Sequence, residues 1–153
     1  MYKKVLVPLD GSTLAECALP EVKRLAQCGC VGEVLLVNVV EDPMGSSFEG
    51  MEVLNLGEIK NRLHDHARSY LANIQTKLNA ENIKASAEVM GGRAAQSIVN
   101  YAKENGVDLI IIASHGYTGV KKWVFGNVAL RVLHDAHVPV LLIRPESHQR
   151  ESH

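Results

Sequence analysis

Asp108–Arg131 reads DLIIIASHGYTGVKKWVFGNVALR. It opens with Leu109-Ile110-Ile111-Ile112-Ala113, an unbroken apolar run between Asp108 and Ser114-His115-Gly116. A β-forming run without alternation predicts a strand covered on both faces. Gly116 and Gly119 then open a loop, and Gly126-Asn127 lead into a helix with Val128, Leu130, Val132 and Leu133 as its apolar positions. The unit is strand, glycine-bearing loop, helix. N–H groups in such a loop and in the first helical turn lack partners of their own and carry partial positive charge. They suit an anion, and the usual anion is a phosphate. A connection that uses glycine only to turn fits the same pattern, so the remainder of the chain has to decide.

With 153 residues the chain is expected to form one domain over 1–145, followed by a polar tail over 146–153. Such a domain buries about 70% of its unfolded surface and needs no disulfide or metal staple. A hydrophobic fraction of 46% and a charged fraction of 22% are ordinary for a globular protein. The net charge of −1 gives no footprint for nucleic acid. No apolar run reaches membrane-spanning length, and Met1-Tyr2-Lys3-Lys4 leads straight into a strand rather than a signal peptide. A cytoplasmic location is therefore expected. Cys17, Cys28 and Cys30 are read as ordinary thiols, because no second pair completes a zinc site.

In chain order, Lys3–Leu9 is the first strand, closed by Pro8, which cannot donate to a ladder. Asp10-Gly11-Ser12-Thr13 turns into a helix over Thr13–Gln27, capped by Ser12 or Thr13, with Glu16 placed for a capping box with Thr13. Gly32–Val40 is the second strand. Glu41–Gly57 is polar and long for a loop, which marks a functional or mobile segment. A helix over Glu58–Asn79, a weaker strand over Lys84–Met90 and a helix over Ala94–Asn105 follow, and the last strand is Val138–Ile143.

Strands alternate with helices throughout, which predicts a parallel sheet covered on both faces. Such sheets take ligands beyond the carboxyl ends of their strands. Pro8-Leu9-Asp10, Val39-Val40-Glu41 and Ala113–Gly119 all end there, so three separate segments point to one crevice.

The segments VPLDGS, Ala113-Ser114-His115-Gly116, Gly126-Asn127 and VPVLLIRP together resemble the universal stress protein family, from Lys4 to Pro145. The ATP-binding branch of that family carries G-x-x-G, nine residues, then G-S or G-T. Here the matching positions are Ala113, Gly116, Gly126 and Asn127, so the spacing is kept and two residue types differ. Ala113 adds a methyl where glycine would leave bare backbone. Asn127 is as good a helix cap as serine, and its amide offers two donors. The resemblance implies a five-stranded parallel sheet of order 3-2-1-4-5, Rossmann-like and akin to the adenine nucleotide alpha hydrolases. It implies ATP, or AMP or ADP, as cofactor, together with Mg²⁺. The nucleoside would lie by Pro8, Leu9, Asp10 and Val39. The phosphates would lie on the loop from Ala113 and Ser114 through His115, Gly116, Tyr117, Thr118 and Gly119, and on Gly126, Asn127, Val128 and Ala129. Arg93 is placed to reach toward those phosphates or to remain a solvated helix-start arginine.

Other constellations narrow the chemistry. The chain has no G-x-x-x-x-G-K-[ST] and no G-x-G-x-x-G after its first strand, which excludes a P-loop NTPase and disfavours a dinucleotide oxidoreductase. Asp10 is placed for a ribose hydroxyl, a Mg²⁺ ion or a helix cap. His115 has no partner at motif spacing to orient it as a base. His64 and His66 point to different helix faces, and His134 and His137 sit where helix C-terminal cations belong. Trp123 and Phe125 are read as packing the helix start. Val138–Ile143 would form an apolar sheet edge, which pairing with a second copy would cover, and members of the family dimerise this way. The reading is a homodimeric binding or signalling module, with no nucleic-acid or membrane partner. A nucleotide-free scaffold and a slow phosphoryl-transfer enzyme using Asp10 and His115 are the alternatives.

Overall fold

Strands that are apolar on both faces have no side to turn to water, so helices must cover both sides of the sheet. The computed structural model describes residues 1–41, 53–114 and 127–145. Its strands are β1 (Tyr2–Pro8), β2 (Val31–Val40), β3 (Ala85–Gly91), β4 (Leu109–Ala113) and β5 (Val140–Ile143). They form one parallel sheet of order β3-β2-β1-β4-β5, the order implied above.

The helices are α1 (Leu19–Gln27), α2 (Val53–Ala80), α3 (Ala94–Glu104) and α4 (Asn127–Asp135). Successive residues of β1, β2 and β4 alternate between two cores. Val5, Val7, Leu36 and Ile111 join Val22 of α1 and Leu71, Ile74 and Leu78 of α2 on one face. Leu6, Leu35, Val37, Ile110 and Ile112 join Ile98 and Ala102 of α3 and Ala129 and Val132 of α4 on the other. Each face is therefore closed by a pair of helices. Among the described residues no helix is long and apolar enough to cross a membrane.

Three boundaries differ from expectation by two residues or more, the others by one at most. The first helix divides into a 3-10 turn, Ala15–Ala18, and α1. Pro20 stands in the first turn of α1, where its missing N–H leaves no intrahelical bond unmade; further inside a longer helix it would break one. The start of the 3-10 turn is held by Ser12, whose Oγ accepts from Ala15 N–H at 3.1 Å; no Thr13–Glu16 capping box forms. Second, α2 begins at Val53 rather than Glu58, because Gly57 lies inside the helix, a position that costs only about 1 kcal/mol. The expected long loop is shorter by that much, and 42–52 lies outside the described residues. Third, β5 starts at Val140, since Pro139 cannot donate to the ladder; its carbonyl instead accepts from Ile110 N–H at 3.0 Å.

The β1–β2 pairing demands glycine at one point. A Cβ built on Gly32 would lie 2.7 Å from the Lys3 carbonyl oxygen, a backbone atom that cannot rotate aside. Gly32→Ala is expected to destabilise the fold by about 1–3 kcal/mol, as overpacking does. Urea unfolding reads this directly; an unchanged midpoint would mean that the two strand ends separate freely.

Candidate functional site

In this strand order the connections from β1 and from β4 run in opposite directions across the sheet, which makes the gap between β1 and β4 its switch point. A narrow crevice of about 80 Å³ opens there. Pro8, Leu9 and Asp10 line it from the end of β1, Val37 and Val39 from β2, and Ile112 and Ala113 from β4. Ala94 and Ile98 of α3, Val128 and Ala129 of α4, and Ala15 of the 3-10 turn complete its wall. Apart from Asp10 these side chains are apolar, so the crevice suits the flat apolar part of a ligand.

Asp10 is held at the rim by a local turn. Its Oδ1 accepts from Ser12 N–H at 2.9 Å and from the Ser12 hydroxyl at 2.5 Å, and Gly11 supplies the left-handed residue at φ +89°. Tyr70 of α2 stands behind this turn. Its hydroxyl is shielded from solvent and closes no hydrogen bond of normal length. Burial first, and then the carboxylates of Glu16 and Asp10, push the phenol above its ordinary value, so Tyr70 stays neutral beside Asp10.

Beyond the crevice lies a wider, more polar cavity of about 570 Å³, within the range of small-molecule sites. Ala94 and Val128 wall both, so the two spaces adjoin. The wider one is lined by Glu41, Arg93 and Gln96 on the α3 side and by Asn127, Leu130 and Arg131 on the α4 side. Glu41 Oε1 accepts from Ala94 N–H at 3.1 Å and so caps α3 with a carboxylate.

Of the site residues expected from sequence, Pro8, Leu9, Asp10, Val39, Ala113, Val128 and Ala129 share the crevice, and Asn127 faces the adjoining cavity. Ser114 is turned away: it is buried, and its N–H and hydroxyl both donate to the Ile143 carbonyl, at 2.8 and 3.4 Å. His115, Gly116, Tyr117, Thr118, Gly119 and Gly126, like Trp123 and Phe125, lie outside the described residues. Sequence reasoning missed the α3 wall, Ala94 and Ile98, and the cavity residues Gln96 and Arg131, whereas Glu41 closes a segment expected at the crevice. Arg131 alone left a signal, standing one helical turn after Asn127.

Fold and crevice define a doubly wound α/β domain with a cleft at its switch point. Residues 1–144 match the family model described as the Universal stress protein family, and the chain belongs to that family. It is 33% identical to the universal stress protein MJ0577 of Methanocaldococcus jannaschii, over 94% of this chain and 96% of that protein. The solved MJ0577 structure matches the fold with a TM-score of 0.82, over 96% of this chain and 99% of the other. Two more distant structures, each 16% identical, share the fold alone. One is an Arabidopsis thaliana family protein with AMP bound (TM-score 0.65, 98% and 96% covered), the other a universal stress protein in complex with cAMP (0.68, 93% and 97%).

Proposed function

We propose that this protein binds ATP or a related adenine nucleotide between the ends of β1, β2 and β4 and the first turn of α4, and acts as a binding or signalling module in a stress response. The observation that carries the reading is the convergence of Pro8-Leu9-Asp10, Val39, Ala113 and Val128-Ala129 on one apolar crevice that adjoins a cation-bearing cavity. An apolar recess suits a base, and the outer cavity suits phosphates with Mg²⁺. Amides of the Gly116–Gly119 loop and of Gly126 and Asn127 would hold those phosphates. AMP and cAMP in two proteins of the same fold support the adenine nucleotide class. Any hydrolysis is expected to be slow.

Two measurements test this. Mass spectrometry of the denatured, freshly purified protein is expected to release an adenine nucleotide. For protein stripped of it, ATP with Mg²⁺ at a hundred times Kd is expected to raise Tm by roughly 5–11 °C, given about 2.7 kcal/mol of linkage. If neither is seen, the nucleotide-free scaffold takes its place, and the Ala113 methyl in the crevice would explain it. We read the chain as a cytoplasmic homodimer paired along β5, the outer strand of the sheet; light scattering that returns a monomer mass would refute the pairing.

A further inference from the structure

Given the nucleotide reading, on which this step rests, the geometry points to Arg93 and Arg131 as the residues that make the site discriminate by phosphate number, favouring nucleotides with two or three phosphates over a monophosphate. Arg93 immediately precedes α3, and Arg131 lies one turn into α4. Both are exposed, and both line the wider cavity. Among the described residues neither guanidinium has a hydrogen-bond or ion-pair acceptor. Two cations therefore share one concavity, with Glu41 as the one acidic residue among its described lining. The cavity's own carboxylate, Glu41, is already engaged with the Ala94 amide, and among the described lining residues one acid stands against two arginines.

Val128 stands where the crevice and this cavity meet, as a wall of both. A nucleotide seated in the crevice would set its first phosphate at the start of α4, and each further phosphate would extend into the space the arginines flank. The guanidinium fork matches phosphate oxygens in geometry and charge, which a solvated lysine does less well. A monophosphate ends before reaching them, so for AMP the two arginines are bystanders. Placement on two different elements, at the start of α3 and one turn into α4, lets the pair straddle the phosphate chain rather than crowd one side of it.

The test is isothermal titration with ATP, ADP and AMP on the wild type and on R93Q/R131Q, both residues being exposed and outside the core. The wild type is expected to bind ATP at least about tenfold more tightly than AMP, the size expected of two solvent-screened, charge-assisted contacts. The double variant is expected to lose about that factor for ATP while its AMP affinity stays within about twofold. The ligand-free Tm of the variant should match the wild type. Equal loss for ATP and AMP, or no change in either, overturns the assignment while the nucleotide reading stands. A wild type that binds none of the three overturns the nucleotide reading and this inference with it.

Discussion

Val128→Trp is expected to weaken adenine nucleotide binding by at least about a hundredfold, near 2.7 kcal/mol. Val128 is the second residue of α4, half-buried, and it forms the wall common to the crevice and the outer cavity. An indole is one of the bulkiest side-chain groups, and a crevice of only about 80 Å³ has no room for it beside a base. The ring has two places to go. Swung toward the sheet it fills the recess between Ile112, Ala113 and Ile98; swung outward it stands in the path to Arg93 and Arg131. Both positions exclude ligand. Because Val128 lies at the edge of its core rather than inside it, the cost to folding is expected at the low end of the 1–3 kcal/mol typical of overpacking. Val128→Ala, which opens the junction, should bind within about threefold of the wild type. Titration of a Val128→Trp protein that still melts cooperatively separates the cases. Wild-type affinity there would move the ligand to some other surface.

The parts of the crevice differ in how openly the sequence carries them. β4 was legible to the residue, because five consecutive buried positions from Leu109 to Ala113 admit only a strand covered on both sides. β2 was legible for the same reason. The strand ends could then be placed in one region by the rule for parallel sheets, and Pro8, Asp10, Val39 and Ala113 do meet there.

The helical side of the site was not legible. Ala94 and Ile98 wall the crevice through the way α3 packs on Val37, Ile110 and Ile112, and an alanine carries no chemical sign of that duty. Glu41 opens a polar segment in the sequence, yet it reaches across 53 positions to cap α3, a contact that no local pattern encodes. Ser114 shows the opposite error. It continues β4 so closely that its polar groups complete the pairing with β5 instead of facing a ligand. Gly57 misled in a third way, since a glycine near a helix end reads as a stop, whereas α2 runs four residues beyond it toward its start.

Leu36→Ala is expected to remove about 2–5 kcal/mol of stability. At roughly 2–4 °C per kcal/mol for a domain of this size, that amounts to a Tm lower by about 4–20 °C. Leu36 is fully buried on β2, paired with Val7 on one side and Ala87 on the other. It belongs to the face covered by α1 and α2, with Leu71, Ile74 and Leu78 in the same cluster. Those three anchor a helix along its C-terminal half, so α2 cannot sink into the space left by one leucine without lifting the others. The cavity should persist, which places the loss in the upper half of the range. Leu133 supplies the contrast: it is 47% exposed on α4, and its change to alanine should stay within about 0.5 kcal/mol. The sheet's alternation adds a second expectation. Val37, the next residue, points to the other face and lines the crevice, so below its melting temperature Leu36→Ala should bind nucleotide within about threefold of the wild type. A variant that melts within 2 °C of the wild type, by the same scale, would show that α2 does not close this face in solution. A stable variant that had lost binding would show that the two faces are coupled through β2.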